Sequence, residues 1–448
     1  MLPDALVIAI YFARTRWQLN FRYRDQLEAW QNHQLKHFIQ QVIPLAPRYA
    51  NYRSAKLADL PFMDKALMMD DFAACNTRGV QLERALEIAL KAEESRDFLP
   101  KLDDLTIGLS SGTSGNRGIF MVSNAERIRW AGILLARAVP QPLLARLLTP
   151  WRLPLRIAFF LRANSNLYTT LDSKRITFSF YDLLLGVEIT IDQLNREQPD
   201  ILVGPPSLLC ALASEIRSGR LQIHPVHVIS VAEVLEERDA EVIREAFGCK
   251  PHQLYQATEG FLAYTCAAGT LHLNESFVHI EPDWLDSAHT RFQPIITDFS
   301  RHTQLIVRYR LNDVLRVSSH PCSCGRAERA IAAIEGRADE VIWLPSRERK
   351  CVKAIYPDQI RRAMLFAGPL VHEYDVTQSG MNLHIGLHSN GDREQAIKLV
   401  SFELDKLWRT VGTESPTLSF ANWSPPLAGA KRRRIVMKKL PEGISCRF

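Results

Sequence analysis

A loop of small and hydroxylated residues, Ser110-Ser111-Gly112-Thr113-Ser114-Gly115-Asn116-Arg117-Gly118, lies between two apolar runs. Leu105, Ile107 and Leu109 lead in and Ile119, Phe120 and Val122 lead out, which predicts strand, loop, strand. Its three glycines permit positive φ and close approach, so that successive N–H groups can converge on an anion. Four hydroxyls add neutral donors and Arg117 a fixed charge, a set suited to phosphate. A solvated Ser/Gly hairpin loop has the same composition, and the Walker spacing G-x-x-x-x-G-K-[ST] is not present. Further along stand Ala232-Glu233, then Tyr255-Gln256-Ala257-Thr258-Glu259-Gly260, Asp313 in Arg308–Val314, and Lys431 in Gly429–Ile435. A carboxylate such as Glu259 suits Mg²⁺, and a lysine is a mobile point charge. Each has a plainer reading: Tyr255 as a core tyrosine, Asp313 as a turn residue, Lys431–Arg434 as a solvated basic face. Cys322-Ser323-Cys324 with Cys266 and His272 offers three thiolates and one imidazole, a common tetrahedral zinc set. Four ordinary reduced residues are the alternative, and Cys249, His252 and His320 are rival ligands.

The elements that must carry these residues follow from periodicity. The first sixty residues read as helical, with Leu27, Trp30, Leu35, Phe38, Ile39, Val42 and Ile43 on one face. A short helix is expected from Leu60 to about Phe72 and another over Arg127–Ala138. Ile157–Leu161 and Ile176–Phe180 read as strands. Then comes an alternation: helix Asp192–Glu197, strand Asp200–Pro206, helix Leu208–Ile216 capped by Ser207, strand Val226–Val231, helix Glu236–Phe247 ended by Gly248, and a strand after Cys249. That order predicts an α/β unit with a parallel sheet. In such sheets ligands bind at the carboxyl ends of strands, where Val231–Glu233 and Tyr255–Glu259 fall. Leu271–Ile280 and Leu305–Tyr309 read as strands of a more antiparallel part. After the polar junction Gly336–Glu340, strands Val341–Leu344 and Met381–Leu387 and helices Pro357–Ala367 and Arg393–Trp408 make a small α/β domain. The expectation is therefore α/β: a large N-terminal domain, 1–336, with mixed parallel sheets and helices, and a small mobile C-terminal α/β domain, 337–448.

With 448 residues, 46% of them hydrophobic, the chain can bury a substantial core. A net charge of +6 suits an anionic ligand but falls short of the basic stripe of a nucleic-acid binder. No apolar run reaches the ~18–20 residues of a membrane span. Ala5–Ala13 lacks the basic lead and cleavage site of a signal peptide and reads as an amphipathic or buried helix. Eight cysteines in a chain of this kind argue for a reducing, cytoplasmic compartment.

The order of these motifs from about Leu60 to Ile435 resembles the adenylate-forming superfamily of acyl-CoA synthetases, in its phenylacetate-CoA ligase and coenzyme F390 synthetase branch. SSGTSGNRG resembles that branch's phosphate loop SSGTTGKP, YQATEG the motif Y-G-x-T-E, RYRLNDV the Y-R-T-G-D stretch, GRADE the hinge and GAKRRRI the terminal G-K-x-x-R-V. The resemblance implies ATP-dependent activation of a carboxylic acid, aromatic in this branch, as acyl-adenylate, then transfer to CoA. It implies that Ser110, Ser111, Gly112, Thr113, Ser114, Gly115 and Arg117 hold the β- and γ-phosphates. Ala232 and Glu233 would line the adenine, Tyr255 stack on it, Thr258 touch the α-phosphate and Glu259 hold Mg²⁺. Asp313 would bind the ribose, Arg337 contact ribose or phosphate, Asp339 act as the hinge, and Lys431 reach the reacting oxygens. The arginines after Lys431 are candidates for CoA phosphates. Cys266, His272, Cys322 and Cys324 would form a structural Zn²⁺ site. Asn116-Arg117-Gly118 departs from the usual lysine and proline, and Gln256 and Leu311-Asn312 from the usual Gly and Thr-Gly. Partners implied are a small-molecule acid and CoA or an acyl carrier protein, with a homodimer as a candidate assembly. A deazaflavin-adenylylating enzyme and a non-catalytic nucleotide-binding protein are the alternatives. Pocket walls for the acid are expected from Phe159–Tyr168, Gly204–Leu208 and Val231–Glu233.

Overall fold

A computed structural model describes residues 3–95, 102–109, 118–149, 151–161, 170–183, 187–348, 351–425 and 432–441. Ser110–Arg117, most of Phe159–Tyr168, and Lys431 thus lie outside the described residues. The chain forms two compact units, Met1–Leu311 with Arg316–Ala333, and Asn312–Leu315 with Ile334–Phe448.

In the first unit, β1 (Leu105–Leu109) and β2 (Ile119–Ser123) pair antiparallel, Leu109 opposite Ile119, so the predicted strand, loop, strand is a hairpin. Helix Leu82–Ser95 turns Ala85 and Ala89 onto it. Helix Asn124–Ala138 starts at a capping box between Ser123 and Glu126. The N-terminal helix Asp4–Ala13 packs on it, so closely that a Cβ at Gly132 would lie 2.6 Å from the Ile8 carbonyl oxygen.

The parallel strands are β3 (Leu155–Leu161), β4 (Ile176–Asp182), β5 (Ile201–Gly204), β6 (His227–Ser230) and β7 (His252–Ala257), in the order β4-β3-β5-β6-β7. Every residue of β5 and β6 is buried, as a central strand covered on both faces requires. Helix Glu237–Phe247 drives Ile243 and Phe247 into the core and ends at Gly248, whose φ of +71° only glycine adopts freely. Helix Pro206–Arg217 starts two residues earlier than expected. Pro206 takes the first position, where its missing N–H costs nothing, and Ser207 lies inside the helix instead of capping it.

The sheet turns antiparallel at β8 (Gly260–Thr265) and β9 (Leu271–Leu273), with β10 (Val278–Trp284), β11 (Arg291–Asp298) and β12 (Tyr309–Arg310) also antiparallel to one another. Leu271–Ile280 is thus two strands, split where Phe277 N–H turns back to the Asn274 carbonyl. Leu305–Val307 is buried but is not a strand: Leu305 N–H reaches Cys75 and the Ile306 carbonyl accepts from Asp298, single bonds to two different segments. β13 (Asp313–Val317) and β14 (Ala330–Arg337) belong to the same sheet.

The second unit contains the hairpin β15 (Ile342–Pro345) and β16 (Val352–Ile355). A four-stranded sheet follows, β17 (Val371–Ser379), β18 (Asn382–Ser389), β19 (Thr417–Asn422) and β20 (Ile435–Lys439), in the order β19-β18-β17-β20. Helix Arg393–Val411 places Ala396, Val400, Leu404 and Trp408, four apart, on a core shared with Ile360 and Met364 of helix Pro357–Phe366.

Candidate active site

β6 and β7 are neighbours, with Ser230, the last residue of β6, paired to Gln253, the second of β7. Just past β6 the chain turns through Ala232, whose φ of +67° costs a non-glycine residue roughly 1–2 kcal/mol. Strain of this kind clusters at functional sites. Glu233 follows, and its Oε2 accepts from the Ser207 N–H at 3.3 Å, in the first turn of helix Pro206–Arg217. Tyr255 is half-buried on β7.

Thr258 and Glu259 form the turn from β7 to β8. The Thr258 hydroxyl donates to Glu259 Oε2 at 2.8 Å, and the Tyr309 hydroxyl donates to Oε1 at 3.1 Å. Burial, then the charge of Glu259, pushes the Tyr309 phenol far above its ordinary value, so it stays a donor. Both donors are neutral. Neither is a cation, and each carboxylate oxygen keeps a lone pair for a hard cation such as Mg²⁺.

A second segment is sewn beside this turn. Met63 N–H donates to the Arg308 carbonyl at 3.0 Å, and Arg310 N–H to the Met63 carbonyl at 2.8 Å. Arg308 is held at φ +44° with its guanidinium on both oxygens of Glu281, at 3.1 and 3.0 Å. Asp64 caps the next helix by accepting from Leu67 N–H at 2.9 Å, which makes Lys65 its first residue. Lys65 thereby lines one cleft with Gly118, Thr258, Glu259 and Tyr309, next to the exit of the Ser110–Arg117 loop.

In the second unit Asp313 opens β13 and Arg337 closes β14. Arg432, Arg433 and Arg434 of the basic run are ion-paired within this unit. Arg433 donates to Asp339 Oδ2 and Glu340 Oε1, each at 2.9 Å, while Arg432 and Arg434 both pair with Glu373 at 3.5 and 2.8 Å. Asp339 also accepts from Asn312 at 3.0 Å.

The ligand atoms of Cys266, His272, Cys322 and Cys324 all lie within 4.8 Å of one another, and no other metal-ligating group of this kind occurs among the described residues. Cys266 and Cys322 sulfurs are 3.6 Å apart, and Cys324 Sγ is 3.4 Å from His272 Nε2. Bonds of about 2.3 Å to sulfur and 2.0–2.1 Å to nitrogen at tetrahedral angles give separations of about 3.6–3.8 Å. The set therefore fits zinc. His272 Nδ1 meets the Glu328 carbonyl at 2.8 Å, which leaves Nε2 for a metal. Burial opposes ionisation of Cys266, yet backbone N–H groups of Thr270 and Ala268 bring it below the ordinary thiol value. Burial and the neighbouring sulfurs push Cys324 up to about 12.

No family model matches the sequence, and no curated protein does. Among solved structures the chain is similar to 2-hydroxyisobutyryl-CoA ligase in the postadenylation state with R3-HIB-AMP: TM-score 0.59, 13% identity, covering 92% of this chain and 88% of that one. The same ligase with 2-HIB-AMP gives 0.57 at 14%, covering 97% and 89%. Fatty acyl-adenylate ligases from E. coli and L. pneumophila give 0.52 at 11%, covering 82% and 80%. The fold is that of the adenylate-forming ligases.

On this adenylate-forming fold, the first unit brings together Thr258 and Glu259 and sets the strained Ala232 at the end of the neighbouring strand. Sequence reasoning missed Tyr309 and Lys65 as site residues. Tyr309 lies inside the motif RYRLNDV, four residues before Asp313. Lys65 follows a good capping residue, Asp64, but only the pairing of Met63 with Tyr309 shows which cleft it enters.

Proposed function

We propose that the protein activates a carboxylic acid with ATP as the acyl-adenylate and passes the acyl group to a thiol, with an aromatic acid and CoA as the substrates. The observation that carries this reading is the Glu259 carboxylate, pinned by two neutral hydroxyls in a cleft it shares with Lys65 and Gly118. In the first half-reaction a carboxylate oxygen attacks the α-phosphorus and pyrophosphate leaves. In the second, a thiolate attacks the acyl carbon and AMP leaves. Two anions must approach in the first step, so the site needs cations and fixed donors around the phosphates. Glu259 would hold Mg²⁺, which when bound neutralises developing phosphate charge. Thr258 would donate to the α-phosphate. Ser110–Ser114, Gly115 and Arg117 would hold the outer phosphates, with Lys65 as a further cation at that end. Ala232, Glu233 and Tyr255 would form the adenine wall, Asp313 and Arg337 would bind the ribose, and Lys431 would meet the reacting oxygens. Cys266, His272, Cys322 and Cys324 would hold a structural zinc.

The test is pyrophosphate release screened over aryl and fatty acids, with and without CoA. Acid-dependent release is expected, with thioester formed only when CoA is present. Lys431→Ala is expected to abolish acyl-adenylate formation while sparing thioester formation from supplied adenylate. Silence with every acid would overturn the reading, and equal loss of both half-reactions would remove Lys431 from its role.

A further inference from the structure

Arg301 follows β11 and is 7% exposed. Its guanidinium reaches in two directions. Nη1 donates to the carbonyl of Thr258 at 2.6 Å, and Nη2 donates to the carbonyl of Met121 on β2 at 3.1 Å and to Gln304 Oε1 at 3.3 Å. One planar group thus spans the Thr258–Glu259 turn and the strand that leaves the Ser110–Arg117 loop. Its neighbours hold the same spacing. Gln304 behaves as a strand edge, accepting from Met121 N–H at 2.9 Å and donating to the Ile119 carbonyl at 3.0 Å. Glu126, at the start of the helix after β2, accepts from Ser123 N–H at 2.7 Å and from His302 and Thr303 N–H at 2.5 and 2.9 Å. Burial raises its proton affinity, but the Thr303 hydroxyl, the Arg301 charge and Ser123 outweigh it and keep the carboxyl below its usual value. Gly260 completes the fit: a Cβ there would lie 3.1 Å from Oδ2 of buried Asp298, which closes the turn from the other side.

We propose that Arg301 is a positioning residue that sets the distance between the Thr258–Glu259 turn, the metal-binding turn of the proposed function, and strand β2. The proposal rests on the adenylation reading of this cleft. Arg301 does not itself line the cleft. It acts through two carbonyls, that of Thr258, which lines the cleft with Glu259, and that of Met121 on β2. A lysine at this position keeps the charge but cannot span both carbonyls, because its ammonium lacks the planar fork.

The probes are ATP and Mn²⁺, with no acid needed, on the full chain as wild type, Arg301→Lys and Arg301→Ala. Loss of a supporting contact of this kind costs about 10–100-fold in metal affinity. Arg301→Lys should therefore lower the Mn²⁺-dependent gain in ATP affinity about tenfold, leave metal-free ATP affinity within about twofold, and raise amide exchange of Thr258–Gly260 and Ile119–Met121 above that of the rest of the unit. Arg301→Ala should do the same more strongly; where it does not fold, the lysine variant carries the test. Wild-type metal dependence in Arg301→Lys would overturn the proposal. So would an equal fall in metal-free and metal-bound affinity, since that marks a merely structural residue. A wild-type chain that binds no ATP with or without Mn²⁺ would instead remove the adenylation reading, and this proposal with it.

Discussion

At Glu259 two hydroxyls of different origin converge, one from the preceding residue and one from a strand fifty positions away. The local donor comes free with the turn; the distant one depends on β12 lying beside Met63. Tyr309→Phe should thus leave the carboxylate charged but loosely aimed. We expect it to cost about 1 kcal/mol of stability and to weaken Mg²⁺-dependent ATP binding severalfold. Glu259→Gln keeps the shape, removes the charge, and should lower acid-dependent pyrophosphate release by about 10²-fold or more. Equal effects of the two substitutions, measured side by side in titration and release assays, would mean that geometry and not charge is what Glu259 supplies. Sequence reading could reach Thr258 and Glu259 because motif and strand end coincide there. It could not reach Tyr309 or Lys65, since their place depends on which backbone runs beside which.

At the scale of elements, alternation of strand and helix over Ile201–Phe247 was legible because each strand there carries a short apolar run and each helix has one apolar stripe. Leu305–Val307 was misread for a related reason: apolar residues report burial, and only hydrogen-bond partners report pairing. The zinc set shows the reverse. The C-x-C spacing was visible, but His272 on β9 and Cys266 at the end of β8 join it only through the turn between those strands. A closed four-ligand site would tie that turn to the segment before β14. We expect one zinc per chain by mass spectrometry of purified protein, its loss in Cys322→Ser, and a lower unfolding midpoint after chelation. Protein without stoichiometric zinc would end this reading, and the four residues would then be reduced neighbours.

At the scale of the molecule, the first unit buries histidines that resist protonation. Burial, with His252 stacked edge-on at 4.6 Å, lowers His227 from 6.5 to about 3. Burial also lowers His252, His279 and His302, helped by Lys250 at His252 and Arg129 at His302. The sign follows from linkage. These groups are neutral when folded and take a proton when unfolded, so the unfolded chain binds more protons once the pH drops below about 6.5. Each such histidine then removes up to about 1.4 kcal/mol per pH unit until its folded value is reached. Glu126 acts in another window. Its carboxyl is held below the ordinary value, so its contribution is present above pH 4.5 and lost only as pH falls further. The unfolding midpoint of the first unit should therefore fall between pH 7 and 5, above the window in which Glu126 titrates, and His227→Phe should flatten that fall. Calorimetry across this range decides it: a midpoint level from pH 7 to 5 in the wild type would mean that these imidazoles are hydrated and protonate in place.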